Sequence, residues 1–120
     1  MKKCIYVVED NAAIRDIIEF MLTEEEYEVS VTATISAFWK KMQERTPDMV
    51  VLDVVLPDGN GVEVCQKLKD NTKTYRIPVM MMSANNYINK VKSKCRADEF
   101  INKPFDLDDF INRVDNRLLT

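Results

Sequence analysis

Glu9-Asp10, Asp53, Ser83 and Lys103 each stand at the end of an apolar run, and their types suit phosphoryl chemistry. The runs are Cys4–Val8, Met49–Asp53, 77–82 and 99–102. Open α/β sheets gather their sites at the carboxyl ends of strands. If these runs are neighbouring parallel strands, three carboxylates, one hydroxyl and one ammonium converge on one patch. Carboxylates so close repel and raise one another's pKa. A hard divalent cation resolves the repulsion, and Mg2+ is commonly held by one or two carboxylates plus phosphate oxygens. Asp53 is then a nucleophile able to form an aspartyl phosphate. Mg2+ and Lys103 would supply positive charge to the phosphoryl group, and Ser83 a hydrogen bond. Taken singly, each residue has an ordinary reading too. Glu9-Asp10 suit a helix N-terminus, Ser83 suits a loop or cap, and Lys103 suits a solvated surface.

The elements that must position these residues follow from hydrophobic periodicity. Cys4–Val8 (CIYVV) reads as a strand buried on both faces. Ile14, Ile17, Ile18, Met21 and Leu22 mark an amphipathic helix with Asn11 as its N-cap. Residues 27–32 alternate as a half-exposed strand. Phe38, Trp39 and Met42 give a second helix over 36–45, stopped by Thr46-Pro47-Asp48. Met49–Asp53 is the third strand, and Val62, Val64, Cys65 and Leu68 form the third helix. Residues 77–82 make the fourth strand, with Pro78 near its start. Residues 88–95 are a short, weakly amphipathic segment. A brief fifth strand over 99–102 precedes a final helix marked by Leu107, Phe110, Ile111, Val114 and Leu118. Strands alternating with helices imply a parallel sheet with right-handed crossovers. The only two glycines, Gly59 and Gly61, lie in the turn after Asp53. That concentrates backbone freedom and close approach beside one acid.

Composition narrows the field. The 120 residues suit one compact domain spanning 1–120. With 46% hydrophobic and 31% charged residues, the chain reads as soluble and globular. The net charge is −3 and no Lys/Arg block occurs, which argues against a nucleic-acid partner. No apolar run is long enough for a membrane span, and the start MKKCIYVVED is too short for a signal peptide. A cytoplasmic location is expected. Histidine is absent, so imidazole nucleophile schemes and a phosphohistidine carrier are excluded. Cys4, Cys65 and Cys95 form no metal or disulfide pattern.

In order and at the strand ends, these residues resemble the receiver domain of two-component response regulators over essentially the whole chain. The carriers are Glu9-Asp10, Asp53 with Pro57 and Gly61 beyond it, Ser83-Ala84, and Lys103-Pro104-Phe105. The resemblance implies a flavodoxin-like (βα)5 fold, a doubly wound five-stranded parallel sheet of order 2-1-3-4-5. It implies that Asp53 is the phosphoacceptor, taking phosphate from a sensor histidine kinase or phosphotransfer protein. Asp10 and Asp53 are similar to direct Mg2+ ligands, with the Val55 carbonyl as a third and Glu9 acting through water. Ser83 resembles the switch hydroxyl, Lys103 the phosphate-contacting lysine, and Phe100 the aromatic switch that turns inward. The Lys103-Pro104 bond is expected to be cis. The readout face would be the fourth helix, fifth strand and fifth helix. Glu99 and Arg113 sit where some relatives place interface ion pairs, so a homodimer on phosphorylation is one expectation. A chain of this kind acts on itself and not as an enzyme on outside substrates.

Several departures stand out. The stretch from Ser83 to Lys103 is about two residues short for the family, with the shortening placed near residues 85–88. Arg96 stands where many relatives have Gly, so it must either accept a left-handed conformation or end the fourth helix differently. Val55 and Asn85 occupy positions that tune phosphate lifetime in the family. Val55 cannot activate water, which predicts a fairly long-lived phosphate. A phosphorylation-independent interaction module is the first alternative. An Mg2+-dependent aspartyl phosphatase is disfavoured, since such enzymes usually carry a second Asp where Val55 stands. A flavin carrier is disfavoured because Glu9-Asp10 would repel its phosphate.

Overall fold

The computed structural model describes residues 2–84 and 88–119. Its frame is a five-stranded parallel sheet of β1 (Cys4–Val8), β2 (Glu28–Thr32), β3 (Met49–Asp53), β6 (Val79–Ala84) and β7 (Glu99–Lys103). The spatial order is β2-β1-β3-β6-β7, which is the expected 2-1-3-4-5 once a small hairpin is set aside. That hairpin pairs β4 (Val55–Leu56) with β5 (Gly59–Asn60). Periodicity gives no hint of it, because two-residue strands are too short to show a period.

Successive strand residues point to opposite faces, and the core divides accordingly. Tyr6, Val8, Val50 and Leu52 join Phe38, Val64 and Leu68, under α2 (Ile35–Glu44) and α3 (Gly61–Asp70). Ile5, Val7, Met49 and Val51 join Ile18, Leu22, Phe110 and Val114, under α1 (Ala12–Glu24) and α5 (Leu107–Leu118). Each large side chain fully buried here contributes about 1.5–3 kcal/mol relative to exposure. Among the described residues, no helix is long and apolar enough to cross a membrane.

Several boundaries differ from the sequence expectation for physical reasons. Tyr27 belongs to the end of α1 and not to β2. Its N–H donates to the Leu22 carbonyl at 3.1 Å and that of Glu26 to Thr23 at 3.0 Å, with Glu26 at φ 69°. This is the left-handed helix ending that usually takes Gly. The fourth sheet strand starts at Val79, after Pro78, and runs on through Ser83 and Ala84, which pair with Asn102 and Lys103. Lys69 fixes both strand starts here. Its ammonium donates to the Ile77 carbonyl at 2.9 Å and to Asp98 at 2.8 Å, and the same Asp98 oxygen accepts from Val79 N–H.

The short segment over 88–95 resolves into a single turn, α4 (Ile88–Val91). Arg96 therefore ends no helix. Among the described residues Glu26 is the only non-glycine at positive φ, so of the two options for Arg96 the second holds. Ile17 departs from the buried stripe expected of it. It is 49% exposed, as is Leu107 at 47%, because both sit above a shallow apolar groove beside Pro104 and Phe105 and not over the sheet.

Candidate functional site

Three strand ends and one turn build a charged cluster. β1 and β3 are adjacent, so Glu9, Asp10 and Asp53 present carboxylate oxygens within 4.8 Å of one another. Glu9 and Asp53 are buried and Asp10 is exposed. Lys103, at the end of β7, reaches into the cluster. Its ammonium donates to Glu9 Oε1, and to Asp53 Oδ2 at 2.7 Å. The Lys103-Pro104 peptide is cis, as the resemblance implied.

Backbone groups hold the acids in place. Asn11 N–H donates to Glu9 Oε2 at 3.0 Å, while the Asn11 side chain caps α1 by accepting from Ile14 N–H at 3.0 Å. Val55 N–H donates to Asp53 Oδ1 at 3.3 Å. Gly61 is required by close approach, since a Cβ there would lie 2.1 Å from the Asp53 carbonyl oxygen. Arg15 escaped the sequence reading. Its guanidinium donates to the carbonyls of Glu9 at 3.0 Å and Asp10 at 3.4 Å, tying the acidic loop to α1. Its place one turn into α1, five residues after Asp10, was the available signal.

The electrostatics follow from this packing. Burial pushes the Glu9 carboxyl above its ordinary value, against the Lys103 and Asn11 hydrogen bonds, and the Asp53 charge adds to the rise. For Lys103, burial works against its charge. The Asp53 and Glu9 carboxylates outweigh burial and hold the ammonium above its ordinary value. Ionised, the three carboxylates and Lys103 leave a formal charge of −2. The donors are oxygens, without imidazole or thiolate. This set fits a hard divalent cation such as Mg2+, with Asp10 and Asp53 the acids not fully enclosed.

Ser83 is buried, and among the described residues its hydroxyl reaches the Ala84 carbonyl at 3.4 Å, a long hydrogen bond. Phe100 is half-buried against the core cluster that holds Val91 and Cys95. Val55 projects its side chain outward, 67% exposed, above the hairpin. Asn85 lies outside the described residues. The residues expected at an intermolecular interface form ion pairs within the chain. Glu99 accepts from Arg113 at 3.1 Å and from Arg117 at 2.7 Å, and Arg113 also donates to the Phe100 carbonyl at 3.0 Å.

Solved structures share this architecture. A candidate response regulator from Chloroflexus aurantiacus J-10-fl matches with TM-score 0.92 and 24% identity, over 100% of both chains. The receiver domain of NtrX from Brucella abortus matches with TM-score 0.87 and 29% identity, over 97% of this chain and 98% of that one. The receiver domain of sensor histidine kinase PA1611 from Pseudomonas aeruginosa PAO1 matches with TM-score 0.89 and 20% identity, over 100% of both. That structure was determined with a magnesium ion coordinated in the active site cleft. The family model for the response regulator receiver domain matches residues 5–115, and the chain belongs to that family.

Proposed function

We propose that this receiver domain accepts a phosphoryl group on Asp53 in the presence of Mg2+, from a phosphohistidine of a sensor histidine kinase or phosphotransfer protein. The observation that carries the reading is Lys103 bonded at once to Glu9 and Asp53, with Asp10 completing the carboxylate cluster. The magnesium in the PA1611 receiver domain supports the metal assignment. When bound, Mg2+ supplies charge neutralisation for the incoming phosphoryl oxygens. A carboxylate oxygen of Asp53 forms the new P–O bond as the donor's P–N bond breaks, so the imidazole leaves with its electron pair. Lys103 stays an ammonium throughout and turns from Asp53 toward the added negative charge. The Val55 carbonyl is the third protein oxygen proposed for the metal, and Glu9 acts through water.

The switch rests on differential contact, since a ligand shifts only an equilibrium whose states it distinguishes. Ser83, whose hydroxyl reaches the Ala84 carbonyl only at 3.4 Å, reorients to the phosphoryl oxygen, and Phe100 turns inward behind it. The face formed by α4, β7 and α5 then changes shape for a partner. A symmetric dimer through that face exchanges the Glu99 pairs with Arg113 and Arg117 between copies, so the unphosphorylated chain is a monomer in this reading. The activity is self-directed and leaves no turnover on outside substrates.

Incubation with acetyl phosphate and Mg2+, followed by intact mass, tests the proposal. A single phosphate adduct that disappears in Asp53→Asn and with chelator is expected. The absence of any adduct would overturn it.

A further inference from the structure

The turn between β3 and α3 carries a carboxylate that the chemistry above leaves unused. Asp58 directs both of its oxygens away from the turn. Oδ1 accepts from Ile35 N–H at 2.9 Å and Oδ2 from Ser36 N–H at 3.0 Å. These are the first two residues of α2. Unpaired N–H groups and the positive dipole end make a helix start a good partner for an anion. The two N–H groups hold the Asp58 carboxyl below its ordinary value.

α2 has a cap of its own, because Thr34 accepts from Ala37 N–H at 3.1 Å. The Asp58 bonds are thus a tie between two distant segments, over and above the helix's own capping. The tie is reinforced by contact. A Cβ on Gly59 would lie 2.9 Å from the Ile35 side chain, so the turn rests directly on α2. On the other side Asn60 caps α3 through Val62 N–H at 2.7 Å. The hairpin is therefore held between two helix starts. Its other arm is Val55, whose N–H meets Asp53 at 3.3 Å, and Gly61 N–H closes back on the Val54 carbonyl at 2.7 Å.

We infer that Asp58 is a positioning residue for the metal and phosphoryl site, clamping the β4–β5 hairpin to α2 so that the backbone of Asp53–Val55 is set before an ion arrives. The inference rests on the function proposed above. A loop ordered by folding spares the ion the cost of ordering it. A loop released from its clamp occupies the binding geometry only part of the time, and affinity falls by that fraction.

The test uses Asp58→Ala and Asp58→Asn in the full chain. Mg2+ affinity is read by isothermal titration. Amide hydrogen exchange over 54–61 is read without Mg2+. The Mg2+ dependence of acetyl phosphate labelling gives a half-saturation and a maximal rate. Asp58→Ala is expected to weaken Mg2+ binding about 3–10-fold and raise the half-saturating Mg2+ equally, as expected for a binding-competent fraction cut by that factor. The maximal rate stays near wild type, and exchange over 54–61 is faster. Asp58→Asn falls between, because its amide oxygen keeps one acceptor. Wild-type Mg2+ affinity in Asp58→Ala overturns the inference, even if thermal stability drops, since a mere surface tie would move stability alone. Wild-type protein that binds no Mg2+ overturns the proposed function, and the inference with it.

Discussion

At the scale of single residues, Lys103 decides the state of the acids around it. It is the cation bonded to both buried carboxylates, and removing one partner of a buried pair costs more than the pair contributes. Lys103→Met is expected to lower stability by about 2–4 kcal/mol at pH 8. The loss should shrink toward pH 5. Glu9 already has a raised folded pKa from burial, and losing the Lys103 hydrogen bond raises it further. An acid with a raised folded pKa costs stability as pH climbs through that value and is relieved below it. Urea unfolding at both pH values checks the sign. In the wild type, the Lys103 contribution is complete below its ordinary 10.5 and is lost only as pH rises through its higher folded value. Val55 supplies a second test. Its exposed apolar side chain offers no group to activate water, so Val55→Asn or Val55→Glu should speed phosphate loss from Asp53. An unchanged decay of the phosphorylated mass removes that role.

At the scale of elements, the strand ends were legible in the sequence because apolar runs stop abruptly at Asp53 and Glu9. The helices were legible because their apolar positions repeat at 3.6 residues, and Asn11 announced the start of α1. What escaped the sequence depends on contacts between distant segments. Asp58 reads as a turn residue until α2 is seen beside it. Ile17 reads as core until a groove is seen beneath it. The second strand starts one residue later than its alternation suggests, at Glu28, because the turn out of α1 extends to Tyr27 through Glu26, in a conformation that Gly normally signals. That position yields a prediction. A non-glycine residue in the left-handed region carries about 1–2 kcal/mol of steric cost. Glu26→Gly relieves it and should stabilise the protein by about 1 kcal/mol, or about 3–5 °C in Tm. Differential scanning calorimetry measures the shift, and a lower Tm would contradict the assigned helix ending.

At the scale of the whole molecule, the distribution of exposed apolar surface suggests how a phosphodonor docks. Ile17, Phe20 and Leu107 are exposed, and Ile17 and Leu107 border the groove beside Lys103. On the function proposed above, a protein delivering phosphohistidine to Asp53 docks over that rim. Ile17→Lys is expected to slow phosphotransfer from the cognate donor about tenfold, the equivalent of about 1.4 kcal/mol. Labelling by acetyl phosphate should be unaffected, and an equal loss with both donors would place the defect in the site itself.

The bond from Lys103 to Glu9 spans 94 residues, and the one to Asp53 spans 50. Contacts that distant must wait for the chain between them to be ordered. A nascent chain made from its N-terminus exposes Glu9, Asp10 and Asp53 well before Lys103 leaves the ribosome. Lys103 lies on β7, so the cluster gains its cation only when β7 pairs with β6. On the function proposed above, a copy that lacks β7 lacks the ammonium its phosphoryl site requires.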